Sequence, residues 1–245
     1  MMKLEICLDN YESLKIAANH GADRIELCAS LKEGGLTPPL SFIEAALKVG
    51  PTIFVNIRPR SCDFLYTGNE LEMMHSDIHT AKKAGAPGVV FGVLTEAGEI
   101  DVPAMKSLMK AAQGLDVTFH RAVDQVRDVY AAIDTCVELG VTRILSSGQK
   151  KSAYEGIETL AKMVQYANRR VKIMAAAGLN PSNVREIIER TQVDEVHGSA
   201  ATFRRSEMKF ILDEAKVGEG DDFSLKITDG EAVRQLKAAI QMFPH

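Results

Sequence analysis

Six side chains able to act as bases, acids or soft ligands recur at one place in a repeating pattern: Glu5, Cys7, Glu26, Cys28, His120 and His197. Each lies in a short run that alternates with aliphatic residues, as in Leu4-Glu5-Ile6-Cys7-Leu8, Arg24-Ile25-Glu26-Leu27-Cys28 and Glu195-Val196-His197-Gly198. An alternation of period two is the mark of a β-strand whose two faces meet different surroundings. Cysteine and histidine together suit a soft ion such as Cu(I). Glutamate beside histidine suits proton transfer. Both chemistries depend on whether these residues converge, which is a question about the elements that carry them.

Strand and helix patterns alternate along the chain. Strands are expected at Lys3-Leu8, Arg24-Cys28, Thr52-Arg58, Gly88-Val93, Asp116-His120, Arg143-Ser147, Val171-Ala175 and Glu195-Gly198. Helices are expected between them, over 10–20, 41–49, 70–84, 102–112, 127–139, 154–168 and 181–191. Gly21, Gly85 and Gly140 close helices, and Asn180-Pro181 opens one. Eight such units in about 200 residues argue for an α/β fold, a (β/α)8 TIM barrel. A GxGxxG turn after the first strand is missing, which argues against an open dinucleotide-binding sheet. Residues 1–245 read as one domain, with the barrel over 1–201. A C-terminal extension, 202–245, packs on the barrel or on a neighbouring subunit. Its stripe of Val233, Leu236, Ala239, Ile240 and Phe243 points to docking, across a dimer for instance.

In a barrel the aliphatic parity faces the helices and the other parity fills the lumen. Glu5, Cys7, Arg24, Glu26, Cys28, Phe54, Asn56, Arg58, Thr118, His120, Arg143, Leu145, Ser147, Lys172, Met174, Glu195 and His197 therefore point inward. The cations Arg24, Arg143 and Lys172 enter near the N-terminal ends, with the carboxylates Glu5, Glu26 and Glu195 in the middle. Cys7, Cys28, Arg58, His120, Ser147 and His197 gather near the C-terminal mouth, where barrel enzymes work. Buried charges must pair, so the lumen is either a structural ion-pair plug or part of a site.

Several of these segments resemble the CutC family, named for copper homeostasis: EIC, GADRIELCASLKEGGLTP, IRPR followed by DFLY, TFHRAVD, RILSSGQ and EVHGSA, in this order and on to SLKIT. The resemblance implies a TIM barrel, a cytoplasmic and oligomeric protein (dimer or tetramer), and copper binding through inward cysteines. Two positions depart from the family pattern. Ser61-Cys62 stand where the family has two glycines, and Met174-Ala175-Ala176-Ala177-Gly178 stands where it is glycine-rich.

Three functions remain open at this level. For a copper protein the ligands are Cys7, Cys28, His120 and His197, with Cu(I) as the ion. Arg58 and Arg60 would repel a cation, although they also lower a thiol pKa. For an enzyme of isomerase, lyase or aldolase type, acting on a small phosphorylated or carboxylated metabolite, Glu5 or Glu26 is the base, His120 the acid, and His197 their partner. Arg58, Arg60, Arg121, Asn56, Ser147, Gly178, Gly198 and Ser199 would then hold the oxyanion. The third class is a non-catalytic interaction protein. His75 and His79, one helical turn apart, belong to an outer helix.

The 245 residues are 46% hydrophobic and 25% charged with net charge −4. This composition carries no basic stripe for nucleic acid and no apolar run of membrane-spanning length. Four cysteines without a CxxC pair suggest a reducing, cytoplasmic setting.

Overall fold

The computed structural model describes residues 2–243 apart from 213, 216, 218 and 219. Eight parallel strands close into a barrel: β1 (Lys3–Leu8), β2 (Arg24–Leu27), β3 (Thr52–Asn56), β4 (Gly88–Phe91), β5 (Asp116–Phe119), β6 (Arg143–Ser146), β7 (Lys172–Ala175) and β8 (Glu195–Gly198), with β8 pairing back onto β1. Seven helices lie between them: α1 (Tyr11–Asn19), α2 (Leu40–Ala46), α3 (Gly68–Ala84), α4 (Val102–Ala111), α5 (Val129–Glu138), α6 (Ile157–Ala167) and α7 (Val184–Thr191). Local chemistry sets several of their starts. Asn10 caps α1 by accepting from the Ser13 N–H, and Asp101 caps α4 ahead of Pro103. Thr67 and Glu70 form a reciprocal capping box on α3.

The stretch set apart as an extension divides differently. A hairpin, β9 (Ala201–Arg205) and β10 (Ser224–Thr228), follows β8 and is succeeded by α8 (Gly230–Gln241). This helix packs against α7, α1 and β1 and so supplies the eighth wall of the barrel. Its stripe of Val233, Leu236, Ala239 and Ile240 is buried in the main core, with Phe243 packed on it. The apolar pattern read as a docking face is spent inside the same chain. Asp23 and Lys237, and the Thr228 N–H on Ser13 Oγ at 2.9 Å, tie the segment to the start of the barrel.

Two apolar regions lie on opposite sides of the strand wall. The large one joins Leu4, Ile6, Ile25, Leu27, Val117 and Ile144 to the helices. The small one, Leu145, Met174 and Ala176, sits in the lumen. The rest of the lumen is polar, as the parity of the strands predicts. Arg24 bridges Glu5 and Glu195, and Glu195 also meets Arg143 at 3.2 Å and Lys172 at 3.1 Å. The cations and carboxylates thus share a layer rather than stacking in separate ones. The Phe54 ring lies between the guanidiniums of Arg24 and Arg143, 4.9 and 4.8 Å from its centre. Gly88 on the next strand makes room for it: a Cβ there would stand 2.5 Å from the ring.

The network holds charges that burial alone would neutralise. Burial raises the Glu5 carboxyl, yet the Arg24 guanidinium and a hydrogen bond from His197 overcome this and hold it at about 2. Glu195 is also held below its ordinary value, against burial, chiefly by Arg24.

Candidate functional site at the barrel mouth

Register decides which inward residues meet. Glu5 is level with Arg24 on one side and His197 on the other, and Cys7 is level with Glu26. Three adjacent strands, β8, β1 and β2, therefore present His197, Cys7 and Glu26 to one another. A ligand atom from each lies within 4.8 Å of the other two. His197 Nδ1 is 2.7 Å from Glu5 Oε1, and its Nε2 is 3.6 Å from Glu26 Oε2. Burial disfavours charge on this ring, but Cys7, Glu5 and Glu26 hold it protonated well above the ordinary histidine range. Burial pushes Glu26 the other way for a carboxyl, up to about 7.

Cys28 and His120 stand apart from this group, contrary to the expected four-ligand set. Cys28 follows the end of β2, one inward position beyond Glu26, and Cys7 pairs with Glu26 instead. Burial, reinforced by Glu26, raises the Cys28 thiol well above its usual range. The neighbouring Asn56 amide opposes this rise without cancelling it. His120 Nδ1 accepts the Ala122 N–H at 3.3 Å. Its proton must then sit on Nε2, so the ring offers the lumen a donor and no lone pair. Burial and the nearby Arg58 lower its pKa to about 3.

Arg58 is buried but already used. Its Nη1 donates to the Glu33 and Gly35 carbonyls at 3.0 and 3.2 Å, and Nη2 donates to the Cys62 carbonyl at 2.7 Å. This clamp joins two mouth loops and leaves no fork for bidentate capture of an oxyanion. Gly34 and Gly35 make the clamp possible. Both have φ of +87°, and a Cβ would stand 2.9 Å from Arg58 Nη1 at the first, and 2.9 Å from Asn56 Nδ2 at the second. Cys62, where the resemblance expects glycine, adopts φ of +77°, and Ala177 adopts +74°. The backbone keeps the glycine conformation at both departures.

Arg60 points away from the mouth. Its Nε donates to Glu70 at 2.6 Å and its Nη2 to Asp63 at 3.0 Å. Glu70 is fixed by the α3 capping box, which is why it can hold this arginine. Arg121 reaches the rim while bonded to Asp124 and Ser147 at 2.9 Å each. Ser147 lies behind it, buried and donating to Asp124. The expected anion turn at Gly178 is filled by its own chain. The side chains of Asn180 and Asn183 donate to the Gly178 carbonyl, the Asn180 N–H is taken by Asn183 Oδ1, and α7 starts only at Val184. Gly198 ends β8, and Ser199 lines a separate crevice under the hairpin. These residues do not border the mouth. His75 is on the outside of α3, 3.0 Å from Ser107 Oγ.

The residues that do converge enclose a cavity of about 140 Å³: Cys7, Glu26, Cys28, Asn56, Arg58, Phe64, His120, Arg121, Leu145 and His197 are among its walls. A vestibule of about 630 Å³ opens above it, between Glu33, Cys62, Arg121, Asp124 and Lys150. Sequence reasoning missed Leu31, Gly34 and Phe64 of the cavity and Asp124 of the vestibule, and of these Phe64 and Asp124 shape the site most. Phe64 stacks on His120 at 4.7 Å and on Arg58 at 5.1 Å. Asp124 accepts from Ser146 Oγ and from the N–H groups of Ser147 and Gln149, fixing the β6 loop. Their signals were the DFLY and AVD segments, which parity reasoning leaves out because they lie in loops.

The CutC family model matches residues 2–202, from β1 into the hairpin. The chain belongs to the CutC family. A CutC family protein of Histophilus somni is 48% identical over 242 residues, covering 98% of this chain and all of the relative. One from Aliivibrio fischeri is 49% identical over 245 residues, with 98% and 99% covered. The crystal structure of a CutC protein from Streptococcus agalactiae superposes with a TM-score of 0.78 at 35% identity, over 81% of this chain and 99% of that one. The CutC fold is the barrel described above, and copper homeostasis is the role its name carries. Among the described residues no helix is long and apolar enough to cross a membrane.

Proposed function

We propose that this CutC chain serves copper homeostasis by holding one copper ion, as Cu(I), at the barrel mouth through Cys7 Sγ and His197 Nε2, with Glu26 as the flanking third donor. The observation that carries this reading is the convergence of these three groups within 4.8 Å. Thiolate and imidazole are the donors a soft monovalent ion prefers, and the carboxylate offsets its charge. Glu5 supports the site from behind, since a carboxylate on Nδ1 fixes the ring and leaves Nε2 as the ligand atom. Copper then displaces the proton His197 carries, so uptake releases protons and weakens in acid. The four cysteines are all unpaired, which supports a reducing compartment such as the cytoplasm. Self-association, implied by the family resemblance, would use a surface other than the buried stripe of α8.

Titration of reduced protein with Cu(I) against a competing chelator tests the reading. One equivalent binds in the wild type and in Cys28→Ser, and tight binding is lost in Cys7→Ser. Glu5→Gln weakens it by about 10–100-fold, as loss of an outer-shell partner does. Unchanged binding in Cys7→Ser would overturn the assignment. A preference for Zn(II) over Cu(I) would overturn the choice of ion.

One observation favours a second reading, proton-transfer catalysis: Glu26, at about 7, faces a protonated His197 across 3.6 Å. Turnover of a small hydroxycarbonyl compound by metal-free protein, lost in Glu26→Gln, would support it over the first.

A further inference from the structure

We propose that the free edge of the β9–β10 hairpin is an interaction surface for a second copy of this chain, the two β9 strands pairing antiparallel about Phe203. Hydrogen-bonded and non-bonded pairs alternate along an antiparallel ladder. The bonds that flank this one, Asp229 N–H to the Ala200 carbonyl and Ser206 N–H to the Phe223 carbonyl at 2.7 Å each, fix its phase. Thr202 and Arg204 therefore bond β10, while Ala201, Phe203 and Arg205 turn their N–H and C=O groups outward. The outer edge of β10 is already covered by the barrel. The Lys226 carbonyl accepts from Asn10 Nδ2 at 3.1 Å, and the Thr228 N–H donates to Ser13 Oγ at 2.9 Å. Among the described residues no strand lies along the outer edge of β9. The Arg205 carbonyl accepts from Arg204 Nη1, a contact that an incoming strand can replace.

The edge is apolar as well as open. Among the described residues, half of the large apolar side chains left exposed fall in 203–225, and the three most exposed, Val217, Phe210 and Phe203, are all there. Apolar surface concentrated in this way marks an interaction site, and an unpaired edge beside it is a template for another strand. β9 lacks the usual guards of such an edge. It carries no proline, and its two arginines are held by Glu12 and Asp221.

The sequence of the edge selects a copy of itself. With a two-fold axis at Phe203, Ala201 faces the partner's Arg205, Thr202 faces the partner's Arg204, and Phe203 faces the partner's Phe203. Outward groups then meet outward groups at three positions, giving about six main-chain hydrogen bonds, two for each facing pair. No arginine opposes an arginine. A slide by one residue sets outward groups against groups turned inward. A slide by two loses a facing pair in either direction, and in one of them sets Arg204 against the partner's Arg204. Once the β9 edges meet, the outermost edges of the joined sheet are those of β10, which the barrel already covers, so growth stops at a closed pair. None of these residues borders the mouth cavity, so this inference does not rest on copper binding.

The test uses the full chain across a range of micromolar concentrations. Sedimentation velocity reads the assembly, and circular dichroism reads the fold. The wild type sediments as a dimer. Phe203→Lys sets two ammonium groups against each other at the axis, and Phe203→Pro removes an N–H that faces solvent in the single chain, so both leave the pairing with β10 intact. Each weakens the dimer by at least about tenfold with the fold unchanged, as loss of a central interface contact does. Disulfide trapping with diamide, in a Cys62→Gly background that removes the exposed native thiol, reads the register. Phe203→Cys cross-links, because Cα atoms of a facing pair stand about 5.5 Å apart, within disulfide reach. Ala201→Cys, which faces the partner's Arg205 instead of its own counterpart, does not. The proposal is overturned if the wild type stays monomeric, if the dimer survives both Phe203 variants, or if Ala201→Cys traps it as well as Phe203→Cys does. A monomer that captures other proteins from a lysate through Phe203 gives the edge to a different partner and overturns the proposal as well.

Discussion

Replacing His120 with asparagine changes how the protein responds to acid. In the fold the ring is buried and accepts the Ala122 N–H, and burial together with Arg58 brings its pKa down to about 3 from an ordinary 6.5. The unfolded chain therefore takes up this proton first as the pH falls. The stability tied to the neutral ring is complete above about pH 6.5, and it drains away as the pH drops toward 3. At pH 4.5, two units below the unfolded value, the loss is about 2.7 kcal/mol at about 1.36 kcal/mol per unit. Asparagine retains an oxygen for the Ala122 N–H and removes the titrating group. It leaves a cavity under Phe64, a loss that does not vary with pH. Urea unfolding of both proteins at pH 7.5, 6.5, 5.5 and 4.5, with a chelator present, gives two stability curves. Titration of Glu5, Glu26 and His197 is common to both and cancels in their difference. The two curves converge by about 2–3 kcal/mol toward pH 4.5 if the ring is held neutral. Parallel curves would refute the buried, neutral imidazole, and with it the donor assigned to Nε2.

Two further perturbations address the lumen. Arg24→Met strands the Glu5 and Glu195 carboxylates without their main counter-charge, and the urea midpoint should fall by the equivalent of about 3–5 kcal/mol. A smaller loss would mean that Arg143 and Lys172 neutralise the layer unaided. Gly88→Ala drives a methyl to within 2.5 Å of the Phe54 ring, which cannot retreat from between two guanidiniums; a destabilisation of about 1–3 kcal/mol is expected in the same assay. Near-neutral behaviour there would show the ring to be less confined than the stacking implies.

The inward set was readable from the chain alone because a strand has a period of two and the helix-facing parity must be aliphatic. Ile25 and Leu27 announced where Arg24, Glu26 and Cys28 point. What parity does not contain is the stagger between strands. Cys7 and Cys28 look like natural partners by order along their strands, yet the register sets Cys7 against Glu26. Side chains in loops were equally hidden. Nothing periodic marks Asp124 or Phe64, and the fate of the Arg58 fork depended on carbonyls from two loops. The final helix and its packing on the barrel are legible in the sequence, but its place as the eighth wall is not, because a hairpin intervenes where the other units pass directly from strand to helix. The same burial rule that identified the inner faces also explains α8 once its neighbours are known.

The position of α8 has a consequence for birth of the molecule on the ribosome. From Gly198 to Gln241 the chain must still be made before the last wall exists, roughly 2–9 seconds at ~5–20 residues per second. Throughout that interval the greasy backs of the first and last barrel strands, Leu4, Ile6 and Val196 among them, have no cover of their own. A nascent chain stalled in the hairpin should thus be a preferred client of holdase chaperones, released only when its final turns emerge and dock.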